Sequence, residues 1–153
     1  MRWSKAEASD AEAISGLALE TCERFLFDST SKEGRKTLRE LYSPSRVRQR
    51  IQANDCFELV FHDQELVGAA AMRRDDCHVY LFFVTGRLHG HGLGRKLMRA
   101  LISSMGDTRH ITLNSSMYAV EFYKRLGFEA TGPVANARGV EFLPMKLTLR
   151  EIR

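Results

Sequence analysis

An apolar run that leads directly into a glycine-rich loop is the feature that most constrains this chain. Residues 78–84 (HVYLFFV) are almost wholly apolar and rich in aromatic and β-branched side chains. Such a run predicts a central strand that is buried on both faces. Glycines follow at positions 90, 92 and 94, and apolar spacing from Leu93 onwards predicts a helix to about Ser104.

This strand, loop and helix have the features of an anion site. Glycines allow successive backbone N–H groups to point into one concavity. The start of a helix adds unpaired N–H groups and the positive end of the helix dipole, which together suit a pyrophosphate. Arg87, Arg95 and Lys96 add positive charge nearby. On the loop alone, a glycine-rich turn without a ligand is an equally open interpretation.

Two common phosphate-binding motifs do not fit the loop. A dinucleotide fingerprint, G-x-G-x-x-G, needs glycine at position 95 or 97, where the chain has Arg95 and Leu97. A P-loop needs G-K-[ST], whereas the chain reads Gly94-Arg95-Lys96. The loop is therefore expected to cradle phosphate in another way.

The order of the other predicted elements indicates one mixed sheet flanked by helices, an α/β (α+β) fold over a single domain of residues 1–153. Ser9 and Glu12 fit a capping box that begins the first helix. The remaining elements are a helix at about 10–27, two short helices broken at Ser43-Pro44, a hairpin of 57–61 and 66–72, the strand 78–84, a strand at 109–113, a helix at 118–126 ended by Gly127, and two strands between 128 and 149.

Composition excludes several classes of protein. The 153 residues are 44% hydrophobic and 27% charged, which excludes a disordered or fibrous chain, and no apolar run approaches the ~20 residues that span a bilayer. Three irregularly spaced cysteines and no signal-peptide pattern favour a reduced, cytoplasmic protein. The net charge of +4 fits a nucleic acid, an anionic cofactor or no partner. No helix-turn-helix, zinc or RNP motif supports nucleic acid, and no membrane partner is expected.

A second motif gives the glycine loop a context. Residues 114–128 read NSSMYAVEFYKRLGF, and with the loop they resemble the GNAT superfamily of N-acetyltransferases. The family's acyl-CoA motif, Gln/Arg-x-x-Gly-x-Gly/Ala, stands here as His89-x-x-Gly92-x-Gly94. The family's second motif stands here as Asn114, Ala119, Phe122, Tyr123 and Leu126-Gly127-Phe128. His89 departs from the usual Gln or Arg.

The resemblance implies a GNAT fold in which two parallel strands, 78–84 and 109–113, splay apart around acetyl-CoA. Backbone groups around Phe83 and Val84 would bind the pantetheine arm, Asn114 would also bond it, and Phe122 would pack against the cofactor. No metal is implied, because His89 and His91 lack metal-ligand spacing. The expected cofactor-binding residues are Phe83, Val84, His89, Gly90, His91, Gly92, Leu93, Gly94, Arg95, Asn114, Ala119, Phe122 and Tyr123.

The implied chemistry is direct attack of a neutral amine on the thioester. A backbone N–H near Val84 would stabilise the oxyanion. Tyr123 would give a proton to the leaving thiolate; alternatively, it only packs on the cofactor. His78 or Glu58 is the candidate general base, and the alternative for His78 is a structural role at a strand end. Cys77 and His78 cannot form a nucleophilic pair, because adjacent strand residues point to opposite faces.

The amine acceptor is scarcely encoded in the sequence. It is expected to enter against residues 25–55 and the loop 132–140, and it would be an amine of a small molecule or a peptide. The arginines and lysine of residues 35–50 are either a solvated helix face or a site for a carboxylate-bearing amine. A catalytically weak acyl-CoA sensor is the alternative function, and the chain is expected to be a monomer or homodimer.

Overall fold

The computed structural model describes residues 1–149, and residues 150–153, the end of the predicted domain, lie outside the described range. Eight strands and five helices follow one another along the chain. The helices are α1 (Ala11–Phe25), α2 (Lys32–Leu41), α3 (Pro44–Gln52), α4 (Leu93–Met105) and α5 (Val120–Arg125). The strands are β1 (Arg2–Ser4), β2 (Cys56–His62), β3 (Glu65–Met72), β4 (His78–Val84), β5 (His110–Ser115), β6 (Glu129–Ala130), β7 (Ala135–Ala137) and β8 (Val140–Thr148).

The strands form a mixed sheet in the order β1-β2-β3-β4-β5-β8-β6, with β7 paired to β8. The β4–β5 pair is parallel and the other pairs are antiparallel. Helix α4 covers one face through Leu97 and Leu101, while α1 and α3 cover the other through Ile14 and Val47. The predicted mixed sheet flanked by helices is therefore confirmed.

Several predicted boundaries are confirmed by local chemistry. The Ser43 side chain accepts the Arg46 N–H at the start of α3, and Pro44 occupies the first turn, where a missing N–H costs nothing. Gly127 has φ +104°, and the N–H groups of Gly127 and Phe128 close the end of α5 on the carbonyls of Lys124 and Tyr123. This pair of hydrogen bonds is a Schellman motif, for which glycine is the favoured residue.

Two local predictions are wrong. Ser9 and Glu12 do not form a capping box; instead Asp10 accepts the N–H of Glu7 at 2.8 Å, within a 3-10 turn that precedes α1. The region after residue 128 holds three strands rather than two, because the chain reverses between β7 and β8 at Arg138 and Gly139. Both residues of this turn have positive φ, as a tight hairpin requires.

Strand β4 leaves its parallel neighbour soon after it begins. Among the described residues, β4 pairs with β5 only at His78 with Thr112 and at Val79 with Leu113. The β3 partners of β4 skip from Val79 to Leu81, so Tyr80 is an unpaired bulge residue. Beyond this bulge β4 borders a cleft, and Phe82 is therefore half-buried. The prediction that the whole strand is buried on both faces is wrong at this residue.

Candidate active site

The gap between β4 and β5 widens into a cavity of about 540 Å³. Its volume is within the range of small-molecule sites. The walls come from the end of β4, the loop before α4, the last turn of α1, and the segment that ends in α5. The lining residues include Phe25, Phe82, Val84, His89, Gly92, Gly94, Arg95, Tyr118, Phe122, Tyr123 and Arg125.

The free edge of β4 presents backbone groups to this cavity. The Thr85 N–H bonds to the Val67 carbonyl of β3 at 2.9 Å. Because peptide groups alternate in direction along a strand, those of Phe82 and Val84 point away from β3 and towards the cleft. The sequence assigned cofactor contacts to Phe83 and Val84. The alternation favours Phe82 over Phe83, whose peptide groups face β3, and the strand period could have indicated this.

His89 is held by the strand that it follows. Its Nε2 atom lies 2.7 Å from the Val84 carbonyl oxygen, which can only accept, so Nε2 carries a proton and donates. The ring also packs against Phe25 at 5.1 Å between centroids. His89 thus ties the loop to β4 and reaches the cavity wall. The single N–H of a neutral imidazole is used on the Val84 carbonyl, so the predicted hydrogen bond from the ring to phosphate would require this bond to break.

The glycine loop opens at the first turn of α4. Gly90 and Gly92 have φ of +83° and +81°, a conformation that favours glycine. Within residues 1–149, the N–H groups of Leu93, Gly94 and Arg95 make no hydrogen bond, as expected of the first turn of a helix. The N–H groups of His89 and His91, which the sequence included in the phosphate site, instead bond to the carbonyls of Gly86 and Leu88. Fewer backbone N–H groups are therefore free to bind phosphate than the range 89–95 suggested.

Positive charge at the cavity comes from a different set of residues than the sequence suggested. Arg95 lines the cavity, and its guanidinium lies 3.4 Å from the carbonyl of Arg125, which also lines it. Arg87 pairs with Glu65 at 2.7 Å and does not line the cavity, and neither does Lys96. Arg125 was missed because nothing in the local sequence shows that the end of α5 faces the glycine loop.

Tyr123 lies at the cavity wall with its side chain only 7% exposed. Its ring makes edge contacts with Phe82, Phe122 and Phe128. Its hydroxyl makes no hydrogen bond within the described chain, where every fully buried side-chain nitrogen or oxygen has a partner, so the hydroxyl opens to accessible space. Burial raises the pKa of this phenol well above its usual value. Tyr123 therefore keeps its proton at neutral pH and is able to donate it.

The two predicted base residues lie outside the cavity. The His78 Nδ1 atom is hydrogen-bonded to the Thr112 hydroxyl at 2.8 Å, at the closed end of the cleft. Burial, and secondarily the charge of Arg73, lower the pKa of His78, while Asp76 opposes this effect. Its position there matches the structural alternative that the sequence left open for this residue.

Glu58 is also hydrogen-bonded to neighbours that lie away from the cavity. Its carboxylate accepts hydrogen bonds from Lys5 at 2.5 Å and from Ser104, near the end of α4, at 2.7 Å. Neither Glu58 nor His78 lines the cavity. A direct role for either carboxylate or imidazole in deprotonating an amine there has no support from the geometry.

The second motif is only partly gathered at the cavity. Ala119, Phe122 and Tyr123 line it, whereas the Asn114 side chain is exposed and does not. Tyr118 was not predicted as a site residue. It is 54% exposed and stacks on Phe25 with ring centroids 4.9 Å apart, which joins the two sides of the cavity mouth.

Two features are absent from the part of the chain that the structure describes. Across residues 1–149, no group of three or more His, Cys, Asp or Glu side chains is placed to hold a metal ion. None of the described helices has both the length and the apolar character that a bilayer crossing requires.

Comparison with known families identifies the family of this chain. The model of the acetyltransferase (GNAT) domain matches residues 26–149, most of the chain and both motifs. The chain belongs to the GNAT acetyltransferase family. The resemblance carried by the motif residues His89, Gly92 and Gly94 and by Tyr123 is thereby confirmed at the level of the family. No curated protein sequence matches this GNAT chain significantly.

Solved structures share the fold at low sequence identity. A GCN5-related N-acetyltransferase from Rhodopseudomonas palustris superposes with a TM-score of 0.82 at 18% identity, covering 97% of this GNAT chain and 95% of that one. PaiA N-acetyltransferase from Thermoplasma acidophilum, in complex with coenzyme A, gives 0.75 at 20% identity over 97% and 98%. The yncA protein from Salmonella typhimurium, with its cofactor acetyl-CoA, gives 0.69 at 18% identity over 100% and 96%. The GNAT fold expected from the sequence is confirmed.

Proposed function

We propose that this GNAT-family protein transfers the acetyl group of acetyl-CoA to a primary amine of a small molecule or peptide by direct attack. The observation that carries the proposal is the arrangement around one cavity. Unbonded N–H groups of the lining residues Gly94 and Arg95 lie at one side, the free edge of β4 runs along the cavity, and the protonated Tyr123 side chain lines it.

The residues present fit acetyl-CoA as a co-substrate. The first-turn amides of α4 and the side chains of Arg95 and Arg125 would bind the pyrophosphate, because helix N-termini and arginines both favour phosphate. The backbone groups of Phe82 and the N–H of Val84 would bond the pantetheine arm as if it were an added strand, since the Val84 carbonyl is already bonded to His89, and Phe122 would pack against the arm. Coenzyme A complexes of relatives with this fold support the choice of ligand.

The chemistry then needs one donor for the oxyanion and one for the sulfur. A cleft-facing N–H of Phe82 or Val84 would donate to the thioester oxygen as charge develops on it. When the carbon–sulfur bond breaks, Tyr123 would give its proton to the thiolate, whose conjugate thiol has an ordinary pKa of about 8.5. The raised pKa keeps Tyr123 protonated at neutral pH, so the proton is present when the bond breaks, and the tyrosinate then regains a proton from solvent.

The amine must also lose a proton, and we propose that solvent accepts it. Neither predicted base lines the cavity: His78 is bonded to Thr112 and Glu58 to Lys5 and Ser104. An amine that enters in its neutral form needs to lose only one proton after attack, and solvent at the open mouth can accept it. Turnover would then rise with pH as the amine itself is deprotonated.

The same observation favours a second candidate function. A cavity that binds acyl-CoA without a general base within reach also fits a catalytically weak sensor. The two candidates differ in turnover and not in binding, so a single ligand titration does not separate them.

Two measurements test the proposals in sequence. Thermal melts with increasing acetyl-CoA should show a rising Tm, because a ligand that binds only the folded state stabilises it. An unchanged Tm at millimolar acetyl-CoA would contradict both candidates. Release of free thiol from acetyl-CoA across a panel of amines then separates enzyme from sensor. Thiol release that no amine accelerates, with binding intact, would leave the sensor.

A further inference from the structure

The closed end of the cleft is made by two opposing sets of side-chain anchors on β4. On one side, His78 is hydrogen-bonded to Thr112 at the point where the strands still pair. This contact fastens β4 to β5. Two residues later, the bulge residue Tyr80 is instead hydrogen-bonded to residues on the other side of β4, away from β5.

Residues of the segment before β2 form hydrogen bonds that hold the side chain of Tyr80. Its hydroxyl donates to Asp55 Oδ2 at 2.6 Å, and Arg50 donates to the same oxygen at 2.7 Å. The Arg50 guanidinium also lies over the Tyr80 ring, 5.3 Å from its centroid. The Asp55 side chain is only 8% exposed, so these charge-assisted hydrogen bonds are largely shielded from water.

A second contact, from the end of α2, holds the backbone of Tyr80. Tyr42, at the end of α2, donates its hydroxyl to the Tyr80 carbonyl oxygen at 3.0 Å. The same ring makes a T-shaped contact with Phe83, which is a cavity-lining residue, at 5.1 Å between ring centroids. Tyr42 therefore contacts both the bulge and the strand segment directly beyond it.

We propose that Tyr42 and Asp55 are positioning residues that hold the Tyr80 bulge so that β4 separates from β5. The inference rests on the proposed function only in naming acetyl-CoA as the ligand of the cleft. Without these anchors the strands have an available alternative. β4 can lose the bulge. His78 faces the β3 side, where its carbonyl accepts the Arg73 N–H, so strict alternation from His78 would then turn the peptide groups of Phe82 and Val84 towards β3, where they pair within the sheet instead of facing a ligand.

Isosteric variants test each anchor alone. Tyr42→Phe removes the hydrogen bond to the bulge carbonyl, and Tyr80→Phe removes the hydrogen bond to Asp55, with little change in volume. Thr37→Val is the matched control. Thr37 is a buried α2 residue whose hydroxyl bonds to the carbonyls of Arg138 and Glu33, away from β4. It loses comparable hydrogen bonding without touching the bulge.

Two readouts separate positioning from general loss of stability. The KM for acetyl-CoA should rise about five- to twentyfold in Tyr42→Phe and Tyr80→Phe, with kcat at saturating acetyl-CoA within about threefold of wild type, whereas Thr37→Val keeps the wild-type KM. Amide hydrogen exchange at Phe82 and Val84 should slow in both variants, because these groups become paired. Simple loosening of the fold would speed the exchange instead.

The outcomes are distinguishable from failure of the proposed function. If wild-type protein does not bind acetyl-CoA, the proposed function fails, and amide exchange at Phe82 and Val84 still tests the anchors. If acetyl-CoA binds but both variants keep the wild-type KM and exchange rates, the anchors do not set the cleft and the inference is wrong. If one variant fails to fold, the other decides.

Discussion

Gly94 packs directly against the ring of Phe122: a Cβ atom added to Gly94 would lie only 2.8 Å from the Cζ atom of Phe122. Helices α4 and α5 therefore meet with no room for a side chain at this position. This contact joins the two sequence motifs, one in the glycine loop and one in the segment that follows β5. It also explains why glycine is needed at a helical position where the backbone does not require it.

Gly94→Ala should push the Phe122 ring into the cavity that it lines. Overpacking of this kind costs about 1–3 kcal/mol in the free energy of unfolding, and the displaced ring should weaken acetyl-CoA binding as well. Denaturant unfolding and calorimetric titration measure the two effects. Gly16→Ala in α1 is the control, since its Cβ would meet nothing within 4 Å, and it should stabilise the fold by about 0.5–1 kcal/mol. Equal effects of the two substitutions would contradict the packing argument.

Tyr123→Phe should lower turnover at least about tenfold while leaving acetyl-CoA affinity nearly unchanged, because only the donated proton is lost. Thiol release at saturating acetyl-CoA gives the turnover, and the ligand-induced rise in Tm gives the affinity. The raised pKa of Tyr123 also predicts no loss of wild-type turnover from this group between neutral pH and pH 9. Wild-type turnover in the variant would remove Tyr123 from the acid role.

Arg95→Ala should raise the dissociation constant for acetyl-CoA by roughly tenfold, the loss expected for one charge-assisted hydrogen bond to phosphate. Lys96→Ala is the matched control. It removes the same charge from the next residue of α4, which does not line the cavity, and should change the constant by less than about twofold. The Arg95 effect should also shrink at high salt. Similar losses in both variants would indicate a diffuse positive field in place of a site.

His78→Gln should flatten the pH dependence of stability. The folded-state pKa of His78 is lowered by burial, so the unfolded chain binds the proton more readily. Wild-type stability should therefore be reduced below the folded-state pKa and rise until the pH passes the unfolded value of about 6.5. Melting temperatures from pH 5 to 8 report this rise. An identical profile in His78→Gln would show that His78 is not the group responsible.

Much of the architecture follows from local sequence signals. The alternating and apolar runs of residues 57–84 predicted β2, β3 and β4, because strand burial leaves a period of two in the sequence. Ser43-Pro44 and Gly127 marked helix boundaries through the backbone groups that they satisfy. The start of α1 was less predictable, because a 3-10 turn precedes the helix and its capping box is formed by Glu7 and Asp10 rather than by Ser9 and Glu12.

The site was predictable only as far as its motifs are contiguous. Gly92, Gly94, Phe122 and Tyr123 were found because each motif specifies neighbours along the chain, and the structure places all four at the cavity. Arg125, Phe82 and Tyr118 were missed, since their place in the wall depends on how separate elements face one another.

The sequence by itself determined that this chain forms a mixed sheet with a glycine loop suited to an anion and a family pattern of acetyl transfer. Only the tertiary structure decided which titratable groups reach the cavity. His78 and Glu58 are plausible bases by residue type, yet each is hydrogen-bonded to partners distant in sequence. His78 is bonded to Thr112, and Glu58 is bonded to Lys5 and Ser104. Hydrogen-bond partners between distant segments are set by packing, and packing leaves no local period in the sequence from which they could be inferred.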